Sequence, residues 1–269
     1  MIYRLLLILF LTIYLPISGT KADILLLQST TSTLNSGLYD YLLPSFTKDT
    51  GIKVHVVAVG TGKALANARH CNGDALLIHS TKDEITFVSS GFGLYRHDVM
   101  YNDFVLVGPF DDPIGLSAYD TAAEAFGAIA QNRALFASRS DDSGTHKTEM
   151  RLWHDAGFDP VPHSGDWYLE TGSGMGATLN LAVEKKAYSL TDRATWLAFA
   201  NKQEHRILFE GDKRLFNQYG VIPISKKACP KTNEAAAILF ADWLISDRGQ
   251  ALIAGYQKAG NQLFTPNAR

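Results

Sequence analysis

Short apolar runs that end in Gly, Ser or Thr and pass at once into a helical pattern constrain this chain more than any other feature. Residues 24–27, 54–59, 75–78, 104–107, 135–137 and 221–224 are too short for helices and show no polar face. They read as strands buried on both sides of a sheet. Between them, Leu38, Tyr41, Leu42 and Phe46 fall at helical spacing, with Pro44 expected to kink the helix. Ala236, Leu239, Phe240, Trp243 and Leu244 trace one face of a late helix. Another is expected from Asp247, with Gln250 three residues on as its capping partner. The alternation predicts an α/β fold with parallel sheets and right-handed crossovers. At 269 residues, with no repeat, low-complexity tract or long linker, the chain is long enough for two lobes.

The amino terminus follows a different pattern. Leu5 to Leu15 is apolar except for Thr12, with Arg4 before it and a stretch from Pro16 to Ala22 after it. As helix this run covers about 16 Å, roughly half a bilayer core. Residues 1–22 therefore read as a secretory signal peptide, cleaved near Ala22 or, alternatively, after Gly19. No cysteine follows the run, which speaks against a lipoprotein. Without Arg4 and Lys21 the mature chain keeps 23 basic and 27 acidic residues, a formal charge of −4. That balance excludes a nucleic-acid partner. Cys71 and Cys229 are the two cysteines. In an oxidising compartment they could form one disulfide, or remain two buried thiols; spacing does not decide. No histidine or second cysteine lies at metal-ligand spacing from either, so no metal or cofactor is expected.

Four of the strand ends share one grammar. They are residues 27–33 with Ser29-Thr30-Thr31-Ser32-Thr33, residues 59–64 with Gly60-Thr61-Gly62-Lys63, residues 138–146 with Arg139 and Ser143-Gly144-Thr145-His146, and residues 170–176 with Gly172-Ser173-Gly174. A helix start has unpaired N–H groups and a positive dipole end, small residues let an anion approach, and hydroxyls add donors. Any one such turn is an ordinary cap. Four at successive strand ends point to a shared anion cleft, the place where α/β folds bind ligands. Arg139 is the leading candidate for direct contact, because its fork gives two charge-assisted bonds to neighbouring oxygens. Asp141 and Asp142 are expected to face away from an anion or to hold Arg139. Thr191-Asp192-Arg193 is expected to be structural, as a salt-bridged hinge or a capped helix start.

Enzyme readings find little to stand on. Residues 60–63 lack the first glycine of a P-loop, and Ala64 replaces its Ser or Thr. There is no Gly-x-Ser-x-Gly elbow. His146 with Glu149 resembles half of a metal site, without a second half. An exported phosphate- or sulfate-ester enzyme using Asp141, Asp142 or His146 is the remaining enzymatic alternative.

Read in order, Ser-Thr-Thr-Ser-Thr (29–33), Val-Gly-Thr-Gly-Lys-Ala-Leu (59–65), Val-Met-Tyr-Asn-Asp-Phe-Val (99–105) and Asp-Asp-Ser-Gly-Thr-His (141–146) resemble periplasmic tungstate-binding proteins. So do Gly-Met-Gly (174–176), Leu-Thr-Asp-Arg (190–193) and Glu-Gly-Asp (210–212). Those proteins are the solute receptors of tungstate ABC transporters, and the resemblance runs from Ile24 to Pro266. It implies a two-lobed type II periplasmic-binding-protein fold with the ligand in the interlobe cleft. Residues 23–107 with 210–269 would form one lobe and 108–209 the other. It implies a ligand set of Ser29, Thr30, Thr31, Ser32 and Thr61 from the first lobe, and Arg139, Ser143, Thr145 and Ser173 from the second. Ser29 stands where threonine is usual, and Ala194 and Trp196 replace a small residue and a tyrosine. The ligand expected is tungstate, with molybdate or another oxyanion as the alternative. The partner expected is a membrane permease, served by a periplasmic monomer; a sensor role for the same fold is a further alternative.

Overall fold

The computed structural model describes residues 24–258 and 260–268. The signal peptide expected at 1–22 lies outside the described residues. The first lobe opens with β1 (Ile24–Thr30), α1 (Thr31–Asn35), α2 (Leu38–Thr50), β2 (Lys53–Val59) and α3 (Thr61–Arg69). β3 (Ala75–Ile78), α4 (Thr81–Ser89) and the long β4 (His97–Pro109) follow. The second lobe holds α5 (Ala122–Asn132), β5 (Phe136–Ser138), α6 (Gly144–Asp155), β6 (Tyr168–Glu170), α7 (Met175–Lys185), β7 (Ser189–Asp192), α8 (Arg193–Ala198) and β8 (His205–Phe209). The chain returns through β9 (Phe216–Pro223) to α9 (Glu234–Ile245) and α10 (Asp247–Gly255). It ends with the short β10 (Gln257–Lys258), β11 (Asn261–Gln262) and β12 (Thr265–Pro266).

β4 belongs to both lobes. Its first half pairs with β9 and β12, and its second half, from Phe104, pairs with β7 and β8. The main sheet runs β12-β4-β9-β3-β1-β2. β1 lies parallel to β2 and β3, as expected, but β9 is antiparallel to both β3 and β4. The sheet is therefore mixed, because β9 comes back from the second lobe against the direction of the strands that left.

Strand alternation distributes the cores. In β3, Ala75 and Leu77 join a cluster with Leu38, Leu42 and Phe46 of α2 and Phe240 of α9. Leu76 and Ile78 face the opposite way, onto Ala64 and Leu65 of α3 and Phe87 of α4. β4 repeats the pattern in the second lobe: Phe104 and Leu106 meet Phe126 and Trp153, while Val105 and Val107 meet Met175, Leu179 and Trp196. α8 serves both lobes, since Ala194 is buried in the first core and Trp196 in the second.

Three local expectations change. α2 contains Pro44 as expected, but its buried face is Leu38, Tyr39, Leu42 and Phe46, leaving Tyr41 exposed. On α9 the exposed residue is Leu239, and Ala237 and Ala241 complete the buried face. α10 is capped by Ser246, whose hydroxyl accepts from Gly249 N–H. The Gln250 amide instead donates to the carbonyls of Val99 and Leu244. Cys71 and Cys229 are joined in a disulfide with Cα atoms 5.2 Å apart, which ties the end of α3 to the loop after β9.

Candidate anion-binding site

Each of the four small-residue turns opens a helix. Thr30, Gly60, Ser143 and Gly174 are the N-caps of α1, α3, α6 and α7. Asp192 adds a fifth, capping α8 with Oδ1 accepting from Thr195 N–H at 2.9 Å. Two of these starts come from the first lobe and three from the second, and the lobes are shut on one another. A Cβ on Gly144 would stand 2.9 Å from the His79 ring and 3.2 Å from the His79 carbonyl oxygen. A Cβ on Gly60 would touch Asp141 O at 3.4 Å, and one on Gly62 would overlap the Asp142 carboxylate. At Gly144 close approach between the lobes leaves little room for a side chain.

Arg139 follows β5 and is 2% exposed. Its Nη2 donates to Asp141 Oδ2 at 2.5 Å and to Thr31 Oγ1 of the other lobe at 3.4 Å. Asp141 Oδ1 accepts from Ser143 N–H at 3.2 Å, so this carboxylate fixes both the arginine and the turn. Ser140 and Asp142, on either side of it, adopt left-handed φ angles of 44° and 55°. Such backbone costs about 1 kcal/mol per residue or more and concentrates at functional loops. His146 Nδ1 accepts from Asp142 N–H at 3.2 Å, so that nitrogen carries no proton. Asp141, Asp142 and His146 are thus parts of the turn and not a catalytic set.

The decisive feature is a group of sealed polar atoms without partners. Thr61 Oγ1, Thr145 Oγ1, Thr195 Oγ1 and Arg139 Nε are all buried and unbonded among the described residues. A donor left in this state costs about 1–3 kcal/mol, so native proteins keep such groups for a ligand or water. The three hydroxyls sit on the first turns of α3, α6 and α8. Together with the guanidinium they offer donors and a positive charge, the equipment for an oxyanion.

Not every expected residue shares this condition. Ser29 leaves the candidate set: its hydroxyl donates to Leu77 O at 2.7 Å and meets the Tyr39 hydroxyl, so it braces β1 against β3. The hydroxyls of Thr30 and Ser143 serve as caps, accepting from Thr33 and His146 N–H. Ser32 Oγ bonds His79 Nε2 at 3.1 Å, and Ser173 Oγ donates to Thr171 O at 3.1 Å while its N–H holds Arg139 O at 3.2 Å. Thr31 meets Arg139 directly. Thr195 is a donor that sequence reading missed, although Thr-Asp-Arg-Ala-Thr places it where a helix capped by Asp192 leaves its first turn open.

Arg193, beside it, has the structural role expected. It grips Asp103 with two bonds of 2.6 Å and also reaches Glu210, tying the two chain crossings together. Burial pushes the His79 imidazole down to about 4, against the hydrogen bond that Nδ1 donates to Asn217 Oδ1, so the ring is neutral. Among the described residues no cluster of His, Cys, Asp or Glu fits a metal ion.

Comparison with known proteins identifies the fold and the family. Residues 17–248 match the PBP superfamily domain. The tungstate-binding protein TupA of Peptoclostridium acidaminophilum is 47% identical over 248 residues, covering 91% of this chain and 86% of that protein. The chain belongs to the tungstate-binding-protein family of the PBP superfamily. The solved TupA of Desulfovibrio alaskensis G20 superposes on this family member with a TM-score of 0.78 at 46% identity, over 92% of this chain and all of the other. The tungstate ABC transporter protein from Geobacter sulfurreducens gives 0.79 at 44% identity, over 87% and 99%. The family is one of binding proteins, not enzymes.

Proposed function

We propose that this protein captures tungstate outside the cytoplasm and delivers it to an ABC importer. The reading rests on the sealed, unpartnered donors Thr61, Thr145, Thr195 and Arg139 Nε, joined by the open helix starts around them. Tungstate is an unprotonated tetrahedral dianion that only accepts hydrogen bonds, so a donor-rich cleft suits it. Hydrogen phosphate carries a proton that needs an acceptor, and sulfate is smaller than the cleft that tungstate would fill. Charged hydrogen bonds contribute about 1.5–3 kcal/mol each. Roughly seven of them, less several kcal/mol for ordering, reach nanomolar binding.

Thr31 and Thr61 would grip from the lobe of residues 23–107 and 210–269, and Arg139, Thr145 and Thr195 from residues 108–209. The closed form is then the one a membrane permease recognises. Export by the leader at 1–22, cleaved near Ala22, places the protein in the periplasm as a monomer. Relatives named for tungstate at up to 47% identity support this ligand.

Calorimetric titration with tungstate, molybdate, sulfate and phosphate tests the reading. Tight tungstate binding that Arg139→Ala abolishes is expected. Equal affinity for molybdate would remove the claim of tungstate selectivity, and no oxyanion binding would sink the reading as a whole.

A further inference from the structure

Asp192 is the one feature of the cleft that does not fit a simple set of donors. It is fully buried at the junction of β7 and α8, and its Oδ2 has no partner among the described residues. α8 packs directly on α1, so this carboxyl lies between the lobes and beside the first loop. A carboxylate here is an acceptor and a negative charge in a compartment that must hold a dianion.

The groups facing Asp192 come from four elements. α8 supplies Thr195 N–H at 2.9 Å with the Thr195 hydroxyl beside it, and β4 supplies Asn102 Nδ2 at 3.4 Å. β9 presents the Tyr219 phenol, whose ionisation the charge of Asp192 opposes. The loop after β5 presents Arg139, whose positive charge favours the carboxylate. Arg193 is turned away to Asp103 and Glu210. Burial raises the Asp192 carboxyl above its ordinary value, and the nearby Thr195 hydroxyl, the Thr195 N–H bond, Arg139 and Asn102 oppose that rise.

Asn102 also begins a relay across both crossing strands. Its Oδ1 accepts from Asn217 Nδ2 at 2.7 Å, and Asn217 Oδ1 bonds His79 Nδ1 at 2.9 Å. His79 Nε2 in turn bonds the Ser32 hydroxyl at 3.1 Å. Both amides donate toward Asp192 and accept from behind. This polarity supports a charged carboxylate at the end of the chain.

A dianion beside Arg139 reverses that support. Arg139 and its partner Asp141 sum to zero, so the dianion takes the local charge from 0 to −2, and repulsion outweighs the attraction by which Arg139 favours ionised Asp192 inside a low-dielectric cleft. We propose that oxyanion capture is coupled to uptake of one proton by Asp192, which converts a buried acceptor into a neutral donor within the closed cleft. The proton passes from solvent to a carboxylate oxygen of Asp192, and no bond of the ligand breaks. This inference rests on the proposed oxyanion function and adds a proton to its stoichiometry.

The test is calorimetric titration of the full chain with sodium tungstate in pairs of buffers that differ in ionisation enthalpy, at about pH 7.5 and about pH 9. Uptake approaching one proton per tungstate is expected, with affinity falling by up to about tenfold per pH unit. Asp192→Asn should bind without the uptake, whereas Glu149→Gln, which removes a buried carboxyl bonded to Ser138, Trp153 and Tyr168, should keep it. An infrared difference spectrum of the unaltered protein should gain a protonated-carboxyl band on tungstate addition. That measurement decides the matter if Asp192→Asn fails to fold. Binding with no uptake at either pH, uptake that survives Asp192→Asn, uptake lost in Glu149→Gln, or no new carboxyl band would each overturn the proposal. Failure to bind tungstate at all would instead overturn the proposed function.

Discussion

The hydroxyl of Thr195 illustrates how a binding residue differs from a structural one at the scale of a single side chain. It is sealed from water and lies beside the Asp192 carboxyl without making a well-formed hydrogen bond among the described residues, so in the free protein it is a burden. Replacing it by the near-isosteric valine should leave the ligand-free melting temperature unchanged or raise it. Tungstate affinity should fall about tenfold, the equivalent of one lost hydrogen bond near 1.4 kcal/mol. A lower ligand-free melting temperature with unchanged affinity would make Thr195 structural. Glu149 gives a second residue-scale expectation. Burial raises its carboxyl to about 7, opposed by bonds from Tyr168, Ser138 and Trp153. The folded protein then holds a proton that the unfolded chain releases above about 4.5, so this contribution is complete below about 4.5 and lost as pH rises through about 7. Denaturant titrations of the wild-type protein and Glu149→Gln should diverge across that window, by an amount on the order of 3 kcal/mol. Parallel curves would show that Glu149 ionises normally. Arg139, Thr61 and Thr145 were legible in the sequence because a turn of small residues announces a helix start. His79, Asn102 and Asn217 were not, because their bonds depend on strand register between segments over a hundred positions apart.

At the scale of elements, the helix starts matter as surfaces that must approach one another, and Gly144 is where this is most demanding. It begins α6 with ordinary helical geometry, so alanine there carries no backbone strain. Its Cβ would nonetheless press on the His79 ring and on the His79 carbonyl oxygen at 3.2 Å. The carbonyl belongs to the backbone at the end of β3 and has little freedom to move. Gly144→Ala should therefore weaken tungstate binding at least tenfold while sparing the melting temperature of the free protein. Gly62→Ala meets the end of the exposed Asp142 side chain, which can turn aside, and the Asp142 carbonyl oxygen only at an ordinary contact of 3.4 Å, so it should be tolerated. If the two variants bind alike, closure does not pass through Gly144. Sequence periodicity located the helices well but misjudged single positions on their faces. On α2, Tyr39 is buried and Tyr41 is not; on α9, Ala237 and Ala241 outrank the larger Leu239. Spacing alone does not say how far the buried stripe extends to either side of its centre. The direction of β9 was equally hidden, since it follows from the chain's return through the second lobe.

For the whole molecule, the question is what holds two lobes shut around a dianion when the chain carries a formal net charge of −2. Global attraction cannot do it, so closure must draw on local contacts across the gap. One ion pair of this kind joins Lys147 on α6 to Asp83 on α4, at 2.7 Å, with Asp142 a further 3.8 Å partner for the lysine. Both members are about one third exposed, which places the pair at up to about 1 kcal/mol and makes it sensitive to salt. Asp83 is held below its ordinary value, since the Lys147 and Ser80 bonds outweigh its partial burial. The latch lies outside the donor set, so its loss should act on the open–closed balance and not on the contacts to the ligand. A closed population reduced by a given factor weakens apparent affinity by no more than that factor. Lys147→Ala should weaken tungstate binding by up to about fivefold at low salt and less as salt rises. Solution scattering of the ligand-free variant should show a larger radius of gyration, with the ligand-bound form unchanged. Exchanging the charges in Lys147→Asp with Asp83→Lys should recover part of the loss, incompletely because Asp142 keeps its sign. A salt-independent loss, or an unchanged ligand-free radius, would mean that closure is set by the crossing strands and the bound anion alone.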